Sequence, residues 1–493
     1  MAKRTAVIDI GSNSVRVVVY EKTSRYGFHI LYETKSKARI SEGAYLNNGF
    51  LQEIPMQRTF LALKEFTKVI KNLKCKKTLC VATSALRDAP NKNIFINRVK
   101  KELKLSIKII DGEKEAYLGA IAANNLLYPQ KKAVTVDIGG GSTEFALIKD
   151  RKIVKLFSLK LGTVRIKELF SNGKDGKIDM ERAKEHIENE LKKLPKDFLC
   201  ETVLGIGGSI RTLSKVVMPE DYPIDSLHGF EYEAEENLPI FKKIYKSKIT
   251  ELKKFKIKKE RYDTIREGAL IFSEILKYLQ TDKVITSGAG IREGVYLSDL
   301  LRNANHRFPA NFNPDIRSLI DRFSLFQKND AFAANLAKKL FTTLIPLHKL
   351  EKRYEELLAI SAKLSSIGSK IDFFSNNHHS FYLILNGLNY GISHKEKALI
   401  ALIVKYQGKK LLSKKDLKFY SPLLPKEKTL NTLSFILALS KCLTKTMQKT
   451  EILFELKDKT LFIKSPEELF LSKECVKKLE NPFDLKIEFE TLK

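Results

Sequence analysis

One stretch of this sequence occurs twice. Residues 5–20 read TAVIDIGSNSVRVVVY and residues 133–148 read AVTVDIGGGSTEFALI. Asp9, Ile10, Gly11 and Ser14 recur as Asp137, Ile138, Gly139 and Ser142 at a constant offset of 128 residues. Each copy is a β-branched strand ending on an aspartate, then a glycine turn with short polar side chains, then a second strand. The hydrophobic frames match as well. A repeated strand–turn–strand unit predicts two similar lobes, each opening with the same hairpin. The chain is long enough for both: at roughly 150 residues per domain, 493 residues make room for about three.

Between and after the hairpins, strands alternate with helices, the pattern of α/β lobes. The helix-like QRTFLALKEFTKVIKNL precedes the strand in KTLCVATSALRDA, and an alanine-rich helix begins near Glu113. In the second lobe, TVLGIGGSIRTLSKVV and DKVITSGAGIREGVYLSDLL each run from a strand through a glycine loop into a helix. Backbone N–H groups and a helix dipole face an anion at such junctions. The Asn- and Pro-rich NANHRFPANFNP (303–314) reads as a domain boundary. These signals predict lobes over 1–128 and 129–303, a helical domain over 304–445, and a small αβ module over 446–493. In that module EILFELKDKTLFIK reads as a hairpin and FDLKIEFETLK as a returning strand, while Ser465-Pro466-Glu467-Glu468 reads as a helix start with a capping box.

Composition narrows the class. Apolar residues make up 43% and charged residues 30%, which excludes disordered and fibrous chains. No apolar run approaches the ~20 residues that cross a bilayer, and Asp9 interrupts the first apolar segment, so no secretory signal is expected. Five cysteines without metal-type spacing (Cys75, Cys80, Cys200, Cys442, Cys475) read as reduced, buried thiols in a cytoplasmic protein. The net charge of +30 attracts polyanions without saying which. Nine lysines between Lys242 and Lys259 read first as a solvated surface and second as a landing strip for a long polyanion.

Four glycine loops in one α/β frame are a phosphate-binding constellation. Gly11 permits a tight turn, and Ser12, Asn13 and Ser14 supply short donors. Gly139, Gly140 and Gly141 expose backbone amides ahead of Ser142 and Thr143, and Gly207, Gly208 and Ser209 do so in GIGGS. Asp9 and Asp137 end their strands just before the loops, where carboxylates can hold Mg²⁺ or its waters beside a phosphate, with Glu144 as a third.

DIGSNSVR, ATSALRDA, DGEKEA, DIGGGSTE, LGTVR, GIGGS and GIREGVY occur in the order that resembles the exopolyphosphatase / guanosine pentaphosphate phosphohydrolase family. The resemblance covers residues 3 to 303 and, more loosely, the helices after 315. It implies the fold of the actin-like, sugar-kinase-like and heat-shock-70-like ATPases: two duplicated, ribonuclease H-like lobes with a cleft between them. It also implies Mg²⁺-dependent release of terminal phosphate from inorganic polyphosphate or from guanosine pentaphosphate, and a homodimer. The family's G-x-E-E-A motif reads Gly112-Glu113-Lys114-Glu115-Ala116 here, which makes Glu115 the catalytic base. Arg16 and Arg87 are then expected to offset charge in the reaction, and Arg39 and Arg165 to bind phosphate. Arg292 and Glu293 are expected to fix the helix after SGAG.

Family members also carry a helical domain resembling the metal-dependent HD phosphohydrolases. The segment matching its ALLHDIG is Ala362-Lys363-Leu364-Ser365-Ser366-Ile367-Gly368, with Ser in place of both His and Asp, so a degenerate, structural domain is expected. Two other functions compete with the hydrolase. A kinase or ATPase of the same fold would cradle ATP in the four loops. A basic nucleic-acid-binding protein would explain the charge, but no aromatic-and-basic RNA motif or zinc finger is present.

Overall fold

The computed structural model describes residues 4–170, 179–407 and 412–492. It divides into two compact units, the first ending at Phe312 and the second beginning at Asn313.

The first unit contains two mixed sheets. One holds β1 (Arg4–Ile10), β2 (Val15–Lys22), β3 (Phe28–Ser36), β4 (Lys77–Ala82) and β5 (Lys108–Ile109), in the order β3-β2-β1-β4-β5. The other holds β6 (Lys132–Ile138), β7 (Thr143–Lys149), β8 (Lys152–Leu159), β9 (Thr202–Ile206), β10 (Glu231–Glu233) and β11 (Lys283–Thr286). Its order is β10-β11-β9-β6-β7-β8, so β8-β7-β6-β9-β11 repeats the first sheet's pattern. Each begins with an antiparallel hairpin, Asp9 opposite Arg16 in one and Asp137 opposite Glu144 in the other. Each then adds a parallel strand, β4 on β1 and β9 on β6, through a helical crossover.

The hairpin strands β1, β2, β6 and β7 are mostly apolar and buried because helices cover both faces. Ala6, Val7, Ile8, Ile10, Val15 and Val17–Val19 are fully buried in one sheet, and Val134, Val136, Phe145 and Ala146 in the other. Burial at roughly 1.5–3 kcal/mol per large side chain fixes the strand ends, and with them the aspartates that interrupt the pattern.

The division between the units falls inside the 303–314 stretch, and most of that stretch belongs to the first unit. Asn125 donates from Nδ2 to the His306 carbonyl at 2.9 Å and accepts the Phe308 N–H at 3.1 Å. Tyr26 packs edge-on against Phe308 and Phe312. Polar residues that resemble a linker are held by buried partners that no local pattern announces.

In the second unit, helices Gln327–Thr343, Arg353–Leu364, His394–Lys405 and Glu427–Cys442 adjoin a small sheet of β12 (Leu453–Lys457), β13 (Thr460–Ser465) and β14 (Lys486–Thr491). Helical region and tail are one compact body. Ser393 and Glu396 form a capping box. The box expected at Ser465 does not form: the helix starts at Phe470, and Ser465 ends β13 and accepts the Glu467 N–H at 3.2 Å. The cysteine expectation is corrected in part, because Cys442 and Cys475 form a disulfide while Cys75, Cys80 and Cys200 are free. Packing of helix Glu427–Cys442 against helix Phe470–Val476 brings that pair together. No helix of the described residues is long and apolar enough to cross a membrane.

Candidate active site

The hairpin turns close alike. Gly11 N–H donates to the Ser14 carbonyl at 3.1 Å, and Gly139 N–H to the Ser142 carbonyl at 2.9 Å. The turns approach so closely that a Cβ on Gly140 would sit 2.7 Å from Ser12 Cβ. Ser12 Oγ lies 3.1 Å from Ser84 Oγ, on the turn that follows β4. Gly162, in LGTVR, crosses beneath Gly140 with room for no side chain, since a Cβ there would meet backbone atoms of Gly140 and Gly141 at 2.5 Å. Gly207 caps helix Gly208–Val217 with φ of 91° and presses on the Asp137 carboxylate. Only glycine meets both demands.

These loops enclose a cavity of about 160 Å³. Gly11, Ser12, Asn13 and Ser14 line it, together with Gly139, Gly140, Gly207, Gly208 and Ser209. Asp9, Asp137, Arg16 and Glu115 face it as well. The structure therefore gathers most of the residues expected from sequence at one place. Its walls also carry Arg211, Arg261, Thr264 and Arg292, which sequence reasoning did not assign to binding. Arg211 stands one helical turn into the GIGGS loop already singled out, so its signal was present. Arg261 is hidden in a lysine-rich run and has no comparable signal. Arg292 was expected to fix a helix; instead its guanidinium faces the cavity, while Glu293 does the fixing. Glu293 accepts the Gly290 N–H at 2.7 Å and the Tyr20 hydroxyl at 2.8 Å.

Glu115 lies in the first turn of helix Gly112–Leu126, which Asp111 caps by accepting the Lys114 N–H at 2.7 Å. The Arg87 guanidinium meets Glu115 Oε2 at 2.9 Å and also donates to the Ile110 carbonyl and Ser142 Oγ. Burial and the neighbouring Glu144 carboxylate push the Glu115 carboxyl well above the usual range, against the pull of Arg87. Glu144 is buried and accepts from Ser158 Oγ at 3.0 Å; burial lifts it to about 8. Asp137 is lifted to about 6 by burial, opposed by Arg211. Asp9 is raised by burial, opposed by Arg292 and Arg16.

Several expected residues sit off the cavity. Gly141, Ser142, Thr143 and Glu144 lie behind the loop, and Thr143 donates from Oγ1 to the Leu161 carbonyl. Arg87 and Ser142 line a second cavity with Glu113, on the far side of the Arg87–Glu115 pair. Arg165 is spent on the Gly141 carbonyl at 2.8 Å, on Asp88 at 2.9 Å and on the Tyr45 ring. Arg39 is turned away: its guanidinium pairs with Asp263 at 3.0 Å, and only its N–H supports the first loop, through the Asn13 carbonyl. Arg16 keeps its place in the wall with one contact to Glu33 at 2.9 Å.

Among the described residues no three His, Cys, Asp or Glu side chains are gathered for a metal ion. At the degenerate HD segment, Ser366 Oγ donates to Asp330 and Lys441 Nζ to Ser365 Oγ at 3.1 Å. An ammonium balances the carboxylate there.

The sequence pattern of the Ppx/GppA phosphatase family matches residues 18–303, and that of Ppx/GppA phosphatase domain III matches residues 314–482. The chain is 35% identical over 305 residues to a bifunctional 3-dehydroquinate synthase/phosphatase of Fusobacterium nucleatum, a match covering 57% of this chain and 44% of that protein. It thus spans less than half the length of that relative. It is 25% identical over 417 residues to a guanosine-5'-triphosphate,3'-diphosphate pyrophosphatase of Photobacterium profundum, covering 83% of this chain and 81% of that one. The crystal structure of the Aquifex aeolicus member of the Ppx/GppA family aligns with a TM-score of 0.52 at 30% identity, over 62% of this chain and 99% of that one. Sheets, loops and relatives together define a member of a phosphatase family with an actin-like fold. The chain belongs to the Ppx/GppA phosphatase family.

Proposed function

We propose that the protein releases terminal orthophosphate from inorganic polyphosphate, from guanosine pentaphosphate, or from both, with Glu115 as the base. The observation that carries this reading is a carboxylate at the wall of a cavity built from phosphate-type loops, oriented by a 2.9 Å ion pair to Arg87. The shared strand order supports reading the two sheets as duplicated lobes.

In this mechanism the amides and hydroxyls of the loops at Gly11 and Gly139 hold the terminal phosphate. Glu115 takes the proton of a water as its oxygen bonds to phosphorus, and the bridging P–O bond breaks on the opposite side. Orthophosphate leaves with a chain one unit shorter, or with guanosine tetraphosphate. A raised carboxyl value brings a glutamate nearer the pH at which a general base is efficient. Arg16, Arg211 and Arg292 offset charge on the leaving oxygens. Asp9 and Asp137 are hard oxygen donors in the cavity wall, and Glu144 pairs across the hairpin from Asp137, a donor chemistry that suits a divalent cation. We assign Mg²⁺ to them, where it would neutralise phosphate charge when bound.

Phosphate release from long-chain polyphosphate and from guanosine pentaphosphate, with and without Mg²⁺, tests the reading. Glu115→Gln keeps the side chain's shape, and loss of a positioned base costs ~10²–10⁴-fold in rate. Undiminished release by that variant would sink the assignment. Turnover of ATP that depends on an acceptor would point to a kinase.

A further inference from the structure

The small sheet of the second unit is covered on one strand and open on the next. Leu461 and Ile463 of β13 share a face and are fully buried. Their partners on the parallel strand β14, Ile487 and Phe489, lie on that same face and are only partly buried. Helix Glu427–Cys442 brings Phe435 to this side, its ring edge-on to Phe483 at 6.1 Å, and helix Phe470–Val476 brings Val476. Between these helices and β14 remains a cavity of about 360 Å³, walled by Phe435, Val476, Leu479, Leu485, Ile487 and Phe489.

The charge at this cavity has one sign. Lys473 and Lys477 line it from helix Phe470–Val476 and its C-cap, four residues apart and so on one side of the turn. Lys477 pairs with no carboxylate among the described residues, and Lys473 has the exposed Glu468 at 3.7 Å. Asn481, also in the wall, is used within its own turn: Nδ2 donates to the Leu485 carbonyl at 2.6 Å, and Oδ1 accepts the Phe483 N–H at 3.1 Å. Cys475, between the two lysines, is bonded to Cys442, so the helix that carries them is tethered and does not fold down onto Ile487 and Phe489.

An apolar hollow of several hundred Å³ with a few convergent polar groups is the form of a small-molecule site. A phosphate chain would meet the lysines and gain nothing from the walls. A plain hydrocarbon would fill the hollow and leave the ammoniums unpaired. We propose that the cavity binds a medium-chain fatty carboxylate, its chain over Ile487 and Phe489 and its head between Lys473 and Lys477. The site lies wholly in the second unit, and the proposal stands apart from the hydrolase reading.

The test is calorimetry on the full-length protein, purified without reductant so that the bridge stays intact. The probes are hexanoate, octanoate and decanoate below their micelle concentrations, with octanol and octylammonium as head-group controls. Binding should saturate at one site per chain and tighten about fourfold for each added methylene. The double change Lys473→Gln, Lys477→Gln should weaken octanoate about fivefold, the effect of two partly exposed ion pairs, and leave octanol within about twofold. Affinity that does not grow with chain length would overturn the site, and so would equal binding of octanoate and octylammonium. An unchanged octanoate affinity in the double variant would overturn it as well. Vesicles of an anionic phospholipid form the last arm: adsorption to them without saturable binding of the free carboxylates would replace the pocket with a membrane-facing surface.

Discussion

Gly140→Ala tests whether the two hairpin turns act together on one phosphate. A Cβ at this position would lie 2.7 Å from Ser12 Cβ and 3.3 Å from Val164 Cγ2. Carbon atoms rest about 3.5–4.0 Å apart, so the turns must separate by roughly 1 Å, and overpacking of this kind costs about 1–3 kcal/mol. The two turns belong to different sheets, so the cost falls on the state in which both reach the substrate. At ~1.4 kcal/mol per factor of ten, kcat/KM for phosphate release should fall by about 5–150-fold. The Tm should move little, because the turns line a cavity and do not fill the core. Ser12→Gly removes the atom that is struck, at the cost of one hydroxyl donor. The four corners of the cycle then give the contact itself: Gly140→Ala should cost much less in the Ser12→Gly background, with a coupling of about 1 kcal/mol or more. Additivity within about 0.5 kcal/mol would refute the argument. So would a loss of Tm as large as that of a core cavity, since the turns would then be structural.

Changes at Gly294, Gly119, Arg87 and Glu144 probe the surroundings. Gly294→Ala would drive a methyl group into the backbone of the neighbouring helix, 2.6 Å from the Leu118 carbonyl carbon. It should destabilise by about 1–3 kcal/mol or more in denaturant titration. Gly119→Ala on that same neighbouring helix meets only Ile206 Cδ1 at 3.5 Å and should gain up to about 1 kcal/mol; a common sign for the two would contradict the packing. Arg87→Met leaves the Glu115 carboxylate desolvated and unpaired, and should cost about 1–3 kcal/mol after allowing for partial exposure. Adding Glu115→Gln should recover most of that loss, and no recovery would mean Arg87 acts elsewhere. The pH dependence follows from Glu144, lifted by burial from 4.5 to about 8. The folded protein keeps a proton that the unfolded chain has lost, so this contribution to stability is complete below about pH 4.5 and disappears as pH rises through about 8. Glu144→Gln should flatten the decline of Tm across that window in metal-free buffer, and an unchanged slope would refute the assignment.

The repeated hairpin was legible because it is local. A β-branched strand, an aspartate and a glycine turn are adjacent in sequence, and Gly11 and Gly139 close the turns that their positions predict. Glu115 was legible only through the family's motif, since a first-turn glutamate is common on any helix. What sequence did not disclose was set by partners far along the chain. Arg39 pairs with Asp263 and Arg165 with Asp88, so both are spent on ion pairs that spacing cannot show. Asn125 reaches His306 and Phe308 and ties most of the apparent linker to the first unit. Ser465 matched a helix start in composition, but strand pairing with β14 claimed it first.

The cavity's charge is unbalanced in two directions at once. Asp9, Asp137 and Glu115 in its wall all have raised carboxyl values, with burial as the first cause in each case and a neighbouring carboxylate adding to the rise. Arg211 is pushed down to about 10, first by burial and then by Arg292 and Arg16. Like charges thus crowd on both sides of the same space, and pairing among them, as in Arg87–Glu115, relieves only part of the strain. A phosphate relieves the guanidinium side and leaves the carboxylates crowded. A divalent cation does the reverse. Each of the two ligands removes a cost that the other would otherwise meet, and by linkage the benefit is mutual. On the proposed reading, a terminal phosphate and Mg²⁺ would therefore bind together more tightly than either alone, with Glu115 beside both.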